Sequence, residues 1–124
     1  MTPEVAIADM VAGNDLNYLI DKTIFNRDRY HEHKTKGGML LPIELQIPDY
    51  SHSMEKAMLV VDLIKSHSRM DNFTIRWDRV WDVGEFDSGY DNCFNWCMED
   101  KSLPVAICKA ALYLHYGMDR KRYL

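Results

Sequence analysis

What this chain lacks narrows its function before any motif is considered. No apolar run approaches the ~18 residues needed to cross a bilayer, and the N-terminus has no basic stretch followed by a continuous apolar one. Neither a membrane span nor a secretory leader is expected. A basic excess is also missing: 15 Lys and Arg stand against 19 Asp and Glu, a net charge of −4. Direct nucleic-acid binding and adhesion to an anionic membrane are therefore not expected of the molecule as a whole. Cysteine is scarce, and Cys93, Cys97 and Cys108 cannot all pair within one chain. Reduced thiols and a cytoplasmic location follow as the expectation. No internal repeat or low-complexity segment occurs, and no nucleophile has a base at fixed local spacing. An enzyme is not expected, and no cofactor is implied.

What is present is enough for one compact domain over residues 1–124, since 47% of its 124 residues are hydrophobic. Residues 1–14 form an N-terminal extension in which Thr2-Pro3-Glu4 opens a short helix. Gly13-Asn14-Asp15 ends it and starts a second, with Leu16, Leu19, Ile20, Thr23 and Ile24 at helical spacing. Residues 26–38 are polar and aperiodic and predict a loop, and Pro42 and Pro48 limit 39–47 to an edge strand. A central helix is capped by Ser51, with Met54, Ala57, Met58, Val61 and Ile64 as its inward stripe, and ends between Ser66 and Arg69.

Alternation then predicts a meander. Phe73, Ile75 and Trp77 mark the first strand, residues 80–86 the second, and Tyr90, Asn92, Phe94 and Trp96 lie along the third. A final helix starts at Ser102 with Pro104 in its first turn, buries Val105, Cys108, Ala111, Leu112 and His115, and stops at Gly117. Residues 118–124 are a basic tail. The expected architecture is an α+β sandwich: a three- or four-stranded antiparallel sheet packed with the central and C-terminal helices, plus N-terminal helices.

Three local sequences carry a family resemblance: Leu16-Asn17-Tyr18-Leu19-Ile20-Asp21-Lys22, Pro48-Asp49-Tyr50-Ser51, and Leu103-Pro104-Val105-Ala106-Ile107-Cys108-Lys109-Ala110-Ala111-Leu112. In them the chain resembles the phage ABA sandwich domain family over residues 16–114. The resemblance implies a phage or prophage origin, hence the cytoplasm of a bacterial host, and brings no catalytic or binding residue with it.

Candidate sites come from charge and spacing. Between residues 71 and 100, eight carboxylates face only Arg76 and Arg79. Asp78, Asp82, Glu85, Asp87 and Asp91 are the expected partner-binding residues, an acidic face suited to the basic groove of another protein. The expected function is non-enzymatic: a phage accessory protein that binds a host or phage protein stoichiometrically and so inhibits a host defence factor. The alternative is sequestration of a nucleotide signal by Arg27, Arg29, Tyr30, Lys34 and Lys36, which combine cations with an aromatic ring. A second copy of the chain is another candidate partner, through an open edge strand or a methionine-rich helix face.

Metal binding by His31 and His33 with His52, His67 or His115 lacks a fixed ligand set, so no metal is expected. Cys93 and Cys97, four apart on a strand, are expected on one face about 13 Å apart, too far to share an ion. Lys34-Thr35-Lys36-Gly37-Gly38 lacks the full phosphate-loop pattern and predicts a turn.

Overall fold

A computed structural model describes residues 7–26, 47–66, 72–87 and 93–121, with the backbone alone at Asp87, Cys93 and 117–121. Within them lie helix α1 (Asn14–Thr23), helix α2 (Met54–Ser66), strands β1 (Phe73–Asp78), β2 (Val80–Asp87) and β3 (Cys93–Asp100), and helix α3 (Leu103–Lys121). The strands form an antiparallel sheet in the order β1-β2-β3, making this an α+β fold. The helix expected from Thr2, the loop over 26–38, the edge strand over 39–47 and the turn at Asp87-Ser88-Gly89 fall wholly or mainly outside the described residues.

Helix α3 is the structural hub. Its residues 104–114 are buried on every side, where small Ala106, Ala110 and Ala111 permit close approach. It packs on β3 and β2 and also against α2 and α1, so it makes the sheet contacts expected of two helices. Trp96 of β3 meets Tyr113 of α3 with ring centroids 4.5 Å apart, over a core that includes Val83, Met98, Ile107 and Leu112. Ile7 is also buried in this core, so the described part of the N-terminal extension docks on the domain. Gly117 does not end α3, which continues to Lys121, because a glycine inside a helix weakens it by about 1 kcal/mol without breaking its hydrogen bonds. His115 is exposed rather than buried.

The central helix departs from expectation in cap and in phase. Ser53 is its cap: the Ser53 carbonyl accepts from Ala57 N at 2.8 Å and the hydroxyl from Lys56 N at 3.3 Å. Its inward stripe is Ala57, Val60, Val61 and Ile64, whereas Met54 and Met58 point outward.

Ser51, the expected cap, instead belongs to a clasp joining the start of α1 to the segment before α2. Asn17 donates from Nδ2 to Asp49 Oδ1 (2.9 Å) and accepts from the Ser51 amide at Oδ1 (2.8 Å). Gly13 donates its amide to Ser51 Oγ at 3.0 Å, and Tyr50 donates its hydroxyl to Asp21 Oδ1 at 2.8 Å. Tyr50, Ser51, Asn17 and Asp21 are all buried, so each bond replaces one that water would have supplied. The Pro48-Asp49-Tyr50-Ser51 motif is thus a structural lock.

In the sheet, pairing runs from Phe73↔Glu85 to Asp78↔Val80, with Arg79 at the turn in a left-handed conformation (φ 65°). Between β2 and β3 the register slips at Glu85/Phe86, leaving Asn95 as the extra residue of a bulge. Cys97 therefore pairs with Gly84 but Cys93 with Asp87, positions of opposite parity on β2. The bulge thus interrupts the regular alternation on which the same-face expectation for the two cysteines rested.

Candidate functional site

The described acidic residues of the meander do not gather on one face. Asp78 and Asp82 occupy the sheet face away from α3, while Glu85 pairs with Trp96 and so falls on the other. Asp82 is 8% exposed and faces Arg76 Nη2 at 3.7 Å. The Arg76 guanidinium also lies 4.9 Å from the Phe94 ring, and Phe94 meets Phe86 edge-on at 5.2 Å. Asp82 is thus part of a packed cation-aromatic cluster. Glu85 accepts from Asn95 Nδ2 at 2.9 Å, across the bulge. Asp78 and Glu99 stay exposed, Asp87 is described by backbone alone, and Asp91 lies outside the described residues. So do Arg27, Arg29, Tyr30, Lys34 and Lys36, together with His31, His33 and His67.

Several of the described titratable groups serve structure. Lys109, 3% exposed, donates from Nζ to the Ala8 carbonyl (2.8 Å) and to Asp100 Oδ2 (3.1 Å). Asp100 also accepts the Ser102 amide at 2.8 Å, just before α3. An open cleft of about 770 Å³ borders this pair, and the ammonium on its wall is already bound to a carbonyl and a carboxylate. His52 is exposed and shares Asp49 Oδ1 at 3.0 Å. Burial works to raise the Asp49 pKa, but the bonds from Asn17 and His52 and the charge of a protonated His52 hold it below the usual carboxylate value. Among the described residues no group of three or more His, Cys, Asp or Glu could hold a metal ion.

Neither described thiol is poised as a nucleophile. Burial pushes Cys108 up to about 12, with the Asp49 charge adding to it, and its Sγ donates to the Tyr50 carbonyl at 3.5 Å. Burial likewise raises Cys97, reinforced by Asp82 and Glu99 and opposed by Arg76. Since the thiolate is the reactive form, iodoacetamide at pH 8 should leave Cys108 unmodified in the native protein and alkylate Cys97 more slowly than a free thiol. Time-resolved peptide mapping checks this; Cys108 should label only as the chain unfolds.

The surface best suited to a partner is the outer side of α2. Met54 (39%), Met58 (46%), Leu59 (46%) and Leu63 (38%) are exposed there. At about 100° per residue, Met54 and Met58 form one rail, Leu59 and Leu63 form another, and exposed Glu55 and Asp62 lie between them. Lys65 borders the methionine rail and Lys56 the leucine rail. The helix is so placed because α3 takes its Ala57, Val60, Val61 and Ile64 side.

The leucine rail runs into a groove of about 240 Å³, where Leu63 meets Thr23, Ile24, Ala111, Leu114 and His115. That volume is below the ~300–1,000 Å³ typical of small-molecule sites and suits one inserted side chain. Sequence reasoning offered a methionine-rich helix face only as a contact for a second copy and did not locate it here, because it assigned Met54 and Met58 to the core. The usable signal was the Glu55–Asp62 spacing of seven, two turns apart on one helix face.

A family model, the phage ABA sandwich domain, matches residues 6–112. No curated protein and no solved structure matches the chain. No helix among the described residues is long and apolar enough to cross a membrane.

Proposed function

The chain belongs to the phage ABA sandwich domain family, and from that premise we propose that it is a non-enzymatic accessory protein that binds a host or phage protein stoichiometrically in the bacterial cytoplasm. The observation that carries this reading is the outer face of α2, with four large apolar side chains each at least 38% exposed on a helix of 13 residues. An apolar patch rimmed by charge is the usual form of a protein interaction site. Methionine suits it, since an unbranched thioether adapts to the surface it meets. The acidic ridge of Glu55 and Asp62 between two apolar rails fits a partner with a basic side chain centred among apolar ones. A host defence factor is a fitting target, because one-to-one capture disables such a protein without any catalysis.

Affinity capture from phage-infected or lysogenic bacteria, followed by native mass spectrometry, tests the proposal. The wild-type protein should retain one defined protein at fixed stoichiometry. A Met58→Lys, Leu63→Glu variant should lose it by about tenfold or more. Its melting temperature should stay close to wild type, because both side chains are substantially exposed. Equal capture by the folded variant would remove the α2 face from the interface and overturn the reading.

A further inference from the structure

The outer edge of β1 is a second candidate surface, independent of α2. Among the described residues β1 pairs only with β2, and no described strand lies along its outer edge. The amide of Phe86 bonds the Asn72 carbonyl at 3.0 Å, and Asn72 continues the β1–β2 register by one step. In an antiparallel ladder such hydrogen-bonded pairs alternate with unbonded ones. Thr74, Arg76 and Asp78 therefore spend their backbone groups on β2, while Phe73, Ile75 and Trp77 turn theirs outward. The same three residues carry the apolar side chains of β1, and α3 reaches β2 and β3 but leaves Ile75 37% and Trp77 56% exposed.

We propose that β1 pairs with β1 of a second copy of this chain, antiparallel about a two-fold axis through Ile75, to give a continuous six-stranded sheet. The strand is self-complementary in that register. Ile75 faces its own copy, Phe73 faces Trp77 of the other chain in both directions, and these are the residues whose backbone groups are free to bond. On the opposite face Thr74 stands across from Arg76, so no like charges meet. Sliding two residues in the Asp78 direction sets Arg76 against Arg76, a repulsive pair. Sliding the other way carries Trp77 past the end of the partner strand. Six residues per chain make an interface at the small end of the specific class, so association is concentration-dependent.

Sedimentation velocity on the full chain between about 5 and about 500 µM reads the result directly. The wild type should shift from monomer toward dimer across that range. Ile75→Lys should stay monomeric with an unchanged circular dichroism spectrum, since a lysine on an open edge opposes its own copy there. Thr74→Glu, which sets a carboxylate across from Arg76 twice per dimer, should tighten association by roughly threefold or more. A wild type that remains monomeric throughout, or a dimer indifferent to both substitutions, would assign the edge to another occupant and overturn the proposal. The Met58→Lys, Leu63→Glu variant should dimerise like wild type, which separates this result from the fate of the α2 site.

Discussion

Gly84→Ala should lower the melting temperature by about 10 °C or more, corresponding to about 3 kcal/mol at the upper end of overpacking costs. A Cβ built at Gly84 lands on the Trp96 carbonyl oxygen and comes within 2.7 Å of Cys97 Cα and 2.9 Å of Cys97 Cβ. Two of these three neighbours are backbone atoms of the paired strand, so no side-chain rotation relieves the clash. Either β3 moves away from β2 or the Trp96–Tyr113 contact is given up. Differential scanning calorimetry measures the loss, and the double variant Gly84→Ala, Cys97→Gly should not recover it because the Trp96 oxygen remains. Gly13 is the useful contrast. It sits at φ 148° as the residue before α1, with nothing within 4 Å of a built Cβ. Alanine there costs conformational strain alone, about 1 to 3 kcal/mol.

Replacing Asn17 by alanine should cost about 2 to 4 kcal/mol, measured by urea denaturation. The side chain makes two bonds at once, and its loss strips Asp49 of a donor and the buried Ser51 amide of its acceptor. Asn17→Asp is more diagnostic because it adds a sign. Aspartate can still accept from the Ser51 amide, yet it sets a carboxylate against Asp49 where an amide N–H had been. Two neighbouring carboxylates raise at least one folded pKa, so the folded state binds the extra proton and the deficit shrinks as pH falls from 7 toward about 4. The wild-type clasp has the opposite slope. Its Asp49 is depressed below the ordinary value of 3.8. Its contribution is present above that value and is lost as pH falls through the lower folded pKa. A gap between variant and wild type that narrows from pH 7 to about 4, with the wild-type loss confined to lower pH, would verify the assignment; a constant gap would refute it.

The comparison of pattern with structure turns on which interactions are local. Helix α2 was legible because serine before an apolar run is a local signal, and the antiparallel meander because alternation is local too. The phase of α2 was not. Met54, Ala57, Met58, Val61 and Ile64 form as regular a stripe as Ala57, Val60, Val61 and Ile64, and the choice is made by α3, some fifty residues later in the chain. Ser51 misled for the same reason, since its amide partner is Asn17, 34 positions away. Asp82 misled because alternation assigns polar residues to solvent, whereas Arg76 and the Phe86–Phe94 pair build a second packed surface on that side of the sheet. A methionine-rich helix face was foreseen, but it was not placed on α2 because Met54 and Met58 had been assigned to the core stripe.

The helix at the centre of the domain is also the last of the described elements in chain order. As the polypeptide leaves the ribosome, α1, α2 and the three strands are synthesised before the helix that covers their apolar sides. Until then Val60, Val61 and Ile64 on one element, and Val83, Trp96 and Met98 on another, lack the helix that packs against both. The nascent chain therefore carries its stickiest surfaces while it has no means of folding shut, and it closes late, in one step. Its yield in a cell should respond to chaperone supply and to translation speed across α3 far more than to the marginal stability of any earlier element.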